Sequence, residues 1–374
     1  MAHIPVTRAP ALPSGAVPTE DVAASPHRWL RRQGLERGET TAYVVHDGTG
    51  LRARSWSTVA DTVERAAAGL VRSGLRADQV VLDLLPATSA YPELDLALRL
   101  IGSVVVHVSP EATADDVARG LGEAKVRLVV AESEADLDRL DGLQFTSSEL
   151  FAVAGGAGWR RLLTLGAERL TMDPDAVSRL DAVVDHEGAA PRLLGPGGRL
   201  TRLARGDAWL PALTPDDVTI AVGHRSDPVV QAMREAHLVS GGTLCLTPDE
   251  TSLGELAETL VPTVAALPGA ASTALPATAA RLALERGVRV VRGSDVPVAP
   301  ADLPLPPPVL RGDPSTLPRR SPREPGRDFQ FDVDRRPVAV APEESAFELP
   351  SLPLFGGESF LDKLLMAQAR EGRA

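Results

Sequence analysis

The sequence predicts an α/β fold: two parallel-sheet α/β subdomains followed by a Pro-rich C-terminal extension that ends in a short helix. Three observations predict it. From Thr41 onward, short apolar runs of strand length alternate with segments of helical apolar spacing, as successive βαβ units require. The same alternation resumes between about residues 165 and 298. Ten prolines then fall between Pro297 and Pro325, where a packed core cannot continue.

The elements follow in order. Tyr43 to Val45 and Leu51 to Arg54 flank D-G-T-G, a hairpin turn sequence. Trp56, Val59, Val63, Ala66, Ala67 and Leu70 recur at helical spacing, and Gly74 suits the stop. Val80 to Leu85 is a short apolar run ending at Pro86, the pattern of a buried parallel strand. A helix over Leu94 to Ile101, a strand over 104–108, a helix over Ala114 to Leu121 and the strand R-L-V-V-A complete the first subdomain. In the second, Val229, Val230, Met233 and His237 line one helical face before a stop at Gly241-Gly242. Thr243 to Leu246, Thr263 to Leu267 and Val288 to Val291 read as strands. The boundaries are therefore a flexible arm at 1–25, subdomains at 26–152 and 153–298, a Pro-rich linker at 299–350, and a tail at 351–374. In the tail, Ser359 and Asp362 make a capping-box pattern, and Phe360, Leu361, Leu364 and Leu365 form an apolar stripe. That short helix either folds back on its own domain or docks into a partner's groove.

Composition bounds the function. The 374 residues are 44% hydrophobic and 24% charged, ample for a sizeable core. A net charge of −11 argues against nucleic acid or an anionic membrane as partner. Cys245, the only cysteine, excludes an internal disulfide and a cysteine metal cluster and reads as a small core residue. No apolar run reaches membrane-span length and the N-terminus has no signal-peptide core, so the expected location is the cytoplasm. Only Lys125 and Lys363 among 39 basic residues are lysines, an arginine-rich usage typical of a GC-rich bacterial genome.

The order S-W-S-T-V-A, A-A-A-G-L-V-R-S-G-L, V-V-L-D-L-L-P, G-S-V-V-V-H-V-S-P and A-K-V-R-L-V-V is similar to the first subdomain of the adenylate-forming superfamily. That superfamily includes acyl-CoA synthetases and nonribosomal-peptide adenylation domains. The similarity continues through L-T-P-D-D-V, G-G-T-L-C-L-T-P, L-V-P-T-V-A-A-L-P and G-V-R-V-V-R-G, and spans roughly Trp29 to Val298. The resemblance implies the large AMP-binding domain of an acyl-CoA synthetase, here truncated and degenerate.

Such enzymes hold a triphosphate in a Gly-rich loop, fix the nucleotide with an aromatic–Gly–x–Thr–Glu segment, and bring in a lysine from a small C-terminal domain. The resemblance sets Gly188 and Gly195, seven apart, against the phosphate loop. Glu187, Ala189, Ala190 and Leu194 then stand where hydroxyls and the loop lysine belong. The stretch is either a surface turn that inherited its glycines or a loop binding another anion through backbone amides. The only tyrosines, Tyr43 and Tyr91, lie in the first subdomain, and Lys125 and Lys363 match no catalytic context. His224 reads as a surface histidine, and His186-Glu187 lacks the second histidine of a zinc helix.

The expectation is a non-catalytic relative retained for ligand binding or scaffolding, with no catalytic or metal-binding residue. Its partners would be a protein reached through the C-terminal helix and a small acyl or nucleotide-like ligand. Two alternatives stand beside it: an acyl-adenylating ligase module completed by another chain, for which ATP or AMP would be the cofactor, and an interaction protein acting through that helix.

Overall fold

The computed structural model describes residues 25–46, 51–86, 92–131, 134–140, 149–152, 157–185, 188–204, 212–248, 251–268 and 277–303. The arm up to residue 24, the turn at 47–50, His186, Glu187, and everything from residue 304, including Phe360, Leu361, Leu364, Leu365 and Lys363, lie outside them.

Helix α1 (Pro26–Glu36) precedes the paired strands β1 (Thr41–His46) and β2 (Leu51–Ser55). Then α2 (Trp56–Arg72), β3 (Val80–Asp83), α3 (Pro92–Leu100), β4 (Val104–Val108), α4 (Ala114–Leu121) and β5 (Val126–Ala131) alternate. Next come α5 (Glu134–Asp138), β6 (Glu149–Ala152), α6 (Ala157–Met172), α7 (Ala176–Asp181), β7 (Arg192–Leu194) and β8 (Leu200–Leu203). The remainder is β9 (Val218–Val222), α8 (Pro228–Ser240), β10 (Thr243–Thr247), α9 (Thr251–Leu260), β11 (Val264–Leu267), α10 (Ala277–Arg286), β12 (Arg289–Arg292) and β13 (Val298–Pro300).

Local chemistry accounts for the boundaries. The Thr113 side chain accepts from the Asp116 amide while the Asp116 carboxylate accepts from the Thr113 amide, a reciprocal cap that starts α4. Pro228 opens α8 at a position where its missing N–H costs nothing, and Gly241, at φ +77°, ends it in the left-handed conformation.

Two sheets result. The first has the order β12-β11-β9-β10-β1-β2 and is parallel except at the β1–β2 hairpin. The second has the order β13-β8-β7-β4-β3-β5-β6 and is antiparallel only where β8 pairs with β7 and β13. One apolar core contains side chains of both sheets together with α2, α3 and α8, so these helices lie between the sheets. The outer face of the first sheet is covered by α9 and α10, and that of the second by α4. Trp56 is fully buried in the shared core, stacked on His237 at 4.8 Å and donating Nε1–H to the Gly241 carbonyl at 3.1 Å. Truncating such a side chain costs about 3–5 kcal/mol.

The division expected between 152 and 153 does not coincide with the division between sheets. Strands β1 and β2 join the sheet of the later half, with Tyr43 opposite Leu244, whereas β7, β8 and β13 join the sheet of the earlier half, with Val106 opposite Arg192. Nor does an extended linker begin at 299. Residues 298–300 pair with β8, and Leu303 packs on the core beneath α4.

Candidate functional site

Strands β3 and β4 are neighbours, yet the helices that follow them cover opposite faces of their sheet: α3 the shared core, α4 the outer one. Ligands of parallel α/β sheets bind at the carboxyl ends of strands where the chain switches faces in this way. In this chain that crevice is filled by its own charges.

Asp83 ends β3 directly opposite His107 on β4. Strand alternation turns both toward α3, along with Val81 and Val105 of the shared core. His107 Nδ1 lies 2.9 Å from Asp83 Oδ2, and its Nε2 lies 3.1 Å from Asp95 Oδ1 of α3. Two arginines close the network from the other sheet's helix. Arg225, in the β9–α8 connection, reaches Asp83 Oδ2 at 3.3 Å and the Pro86 carbonyl at 3.2 Å. Arg234 of α8 reaches Asp95 Oδ2 at 2.9 Å and the Pro92 carbonyl at 3.2 Å. The Leu85 amide donates to Asp83, and Gln231 donates to the Arg225 carbonyl. All five charged side chains are buried. The contacts of His107 with Asp83 and Asp95, and of Asp95 with Arg234, are off hydrogen-bond geometry, so charge more than hydrogen-bond direction holds them. Arg54–Glu93 and Arg99–Glu235, each at 2.6 Å, extend the network.

Burial alone would push the two aspartates up. Arg225, then His107, outweighs it at Asp83 and holds that carboxyl at about 2; Arg234 and His107 hold Asp95 well below the carboxylate range. Burial would likewise favour neutral His107, but contact with both carboxylates raises its pKa. Glu93 is raised by burial in spite of Arg54.

Asp83, Asp95 and His107 are the one group of metal-ligand spacing among the described residues. The arrangement does not suit an ion. Each carboxylate already faces a guanidinium, Asp83 that of Arg225 and Asp95 that of Arg234, which an ion there would have to displace.

The sequence-predicted residues lie elsewhere. Gly188 and Gly195 do not bound one loop, because β7 runs between them, a span of about 10 Å at strand rise. Gly188 belongs to a turn closed by the Ala189 amide on the Asp185 carbonyl. The buried Arg192 guanidinium gathers the Gly188, Ala190 and Asp302 carbonyls, so this turn directs oxygens, not amides, inward. Gly195 has an ordinary φ of −98°, and its amide donates to the Arg199 carbonyl at 3.0 Å. The left-handed glycines are Gly197 and Gly198, in the turn between β7 and β8. There Gly198 packs so tightly on α4 that a Cβ would approach the Asp116 carbonyl to 2.9 Å. Ala189, Ala190, Leu193 and Leu194 are buried, Leu194 completely.

His224 is not a surface residue. It is half-buried beside the network, with Nδ1 3.0 Å from Ser226 Oγ, and burial lowers its pKa to about 4. Lys125 is exposed, and Cys245 is buried, as expected of a small core residue. Sequence reasoning missed Asp83, Asp95, His107, Arg225 and Arg234. The signal was present: ionisable residues inside runs such as V-V-L-D and V-V-V-H-V, whose neighbours had to be buried.

A family model described as AMP-binding enzyme matches residues 30–176. The chain is 29% identical over 102 residues to a 4-coumarate--CoA ligase-like protein of Oryza sativa subsp. japonica, a match covering 27% of this chain and 18% of that one. Its fold resembles that of VinN in complex with L-aspartate, with TM-score 0.52, 17% identity and coverage of 65% of this chain and 62% of VinN. It also resembles NpsA-ThdA, an artificially fused adenylation–PCP di-domain from Klebsiella oxytoca. There the TM-score is 0.53 at 14% identity, covering 76% of this chain and 57% of that one.

Proposed function

We propose that this chain is a non-catalytic, acyl-CoA synthetase-like member of the adenylate-forming superfamily, retained for ligand binding or scaffolding. One observation carries the reading: the ends of β3 and β4, where ligands of parallel α/β sheets bind, are filled by the ion pairs of Asp83, Asp95 and His107 with Arg225 and Arg234. A substrate there would have to displace buried, oppositely charged groups from one another.

ATP–pyrophosphate exchange is the test. With a panel of fatty, aryl and amino acids, exchange should stay at background; robust exchange with any of them refutes the proposal. Titration with a non-hydrolysable acyl-adenylate analogue then separates the two roles, binding favouring a ligand-binding protein and no binding a scaffold. The alternative, an acyl-adenylating ligase module completed by another chain, draws on one observation, that the chain spans 62% of the VinN structure it resembles. It requires exchange to appear when a complementing chain is supplied.

A further inference from the structure

His107 has a carboxylate at each ring nitrogen. A neutral imidazole carries one N–H and one lone pair, so either neutral tautomer turns a lone pair toward a carboxylate oxygen about 3 Å away. Only the imidazolium suits both sides. The charged and titratable groups facing it are Asp83 from β3, Asp95 from α3, Arg225 and His224 from the β9–α8 connection, and Arg234 from α8.

These contacts differ in what else holds them. Asp83 and His107 stand opposite each other in a parallel ladder, and Asp83 keeps Arg225 and the Leu85 amide whatever the state of the ring. Asp95 belongs to a different body. Asp95–Arg234, Arg234–Pro92 and Arg99–Glu235 tie α3 to α8, whereas His107–Asp95 ties that helix pair to β4. On loss of the proton the ring's positive charge is lost to both carboxylates, and His107–Asp95, which has no strand ladder beside it, is the contact that opens.

We infer that protonated His107 is a latch holding α3 and α8 against β4, and that loss of its proton loosens this packing and admits water to the crevice at the ends of β3, β4 and β9. The direction follows from linkage. The ring's pKa is raised on folding, so its contribution is fully present below about 6.5 and is lost as pH rises through the folded value. Loosening is therefore an alkaline event, and it is independent of whether the chain catalyses acyl activation.

Amide hydrogen exchange of the full chain, followed by mass spectrometry across neutral to alkaline pH, tests the latch. Peptides from α9 in the same digest provide the reference for the intrinsic pH dependence of exchange. Protection in α3 and α8 should fall by about tenfold or more relative to α9 as His107 titrates. In His107→Gln, whose amide cannot carry the charge, α3 and α8 should be weakly protected at every pH, with no step. A step of wild-type size in that variant overturns the proposal. Should the variant not fold, the His107 ring resonance followed by NMR in the unaltered chain decides. Titration with unchanged α3 and α8 protection overturns the latch, as does the absence of any titration below the pH of global unfolding.

Discussion

Arg225→Met removes the cation facing Asp83 while keeping an unbranched side chain of similar reach. The two side chains are 1% and 3% exposed, so solvent does not screen the loss. Breaking one partner of a buried ion pair costs about 3–5 kcal/mol. A second route gives a smaller figure. The Asp83 carboxyl lies at about 2 instead of 3.8, and at about 1.36 kcal/mol per pH unit this is worth roughly 2 kcal/mol, Arg225 being the largest favourable contributor. Asp83 retains His107 and the Leu85 amide, which favours the lower end, so a loss of about 2–3 kcal/mol is expected. Because the folded pKa is depressed, the stabilisation is present above 3.8 and disappears as pH falls toward 2. Urea unfolding followed by circular dichroism should thus show the full deficit at about pH 7 and a smaller one at about pH 3, with an unchanged slope. Asp83→Asn combined with Arg225→Met should recover most of the loss. A deficit under about 0.5 kcal/mol at neutral pH, or one that grows on acidification, would refute an ion pair between these groups as a source of stability.

Two further outcomes follow from the packing. Gly198→Ala should lower stability by about 2 kcal/mol and Gly197→Ala by about 1 kcal/mol. Both glycines have φ above +70°, but only at Gly198 would a Cβ strike α4, so equal melting temperatures would contradict the packing. Cys245 is buried with its thiol pushed up to about 12, so a disulfide reagent should label it only in step with unfolding. Rapid labelling of the native chain would contradict that burial.

The parts legible in the sequence are those written in local chemistry. The bounds of α4 follow from Thr113, Asp116 and the glycine at 122, and β3 and β4 follow from valine runs that only a two-sided burial explains. The parts that were not legible depend on partners far along the chain. Asp83 passed unnoticed within the apolar run Val80 to Leu85 because its counter-ion, Arg225, is 142 residues away. Counting seven residues from Gly188 to Gly195 could not reveal that β7 lies between them. Nor does periodicity tell which sheet a strand will join, since β1 and β7 have the strand pattern whichever edge they meet.

The exchange of strands between sheets has a consequence for how the chain is made. Strand β10 must enter between β9 and β1, pairing Tyr43 with Leu244, so the first hairpin is synthesised long before its neighbour exists. At about 5–20 residues per second, some 200 residues of synthesis separate them by about 10–40 seconds. During that interval one edge of β1 is unpaired, and the second sheet likewise waits for β7, β8 and β13. Neither half is a self-sufficient folding unit. Cutting the chain between its halves should give two insoluble fragments, and folding should await the arrival of the last strands, as the large sequence separation of these contacts requires.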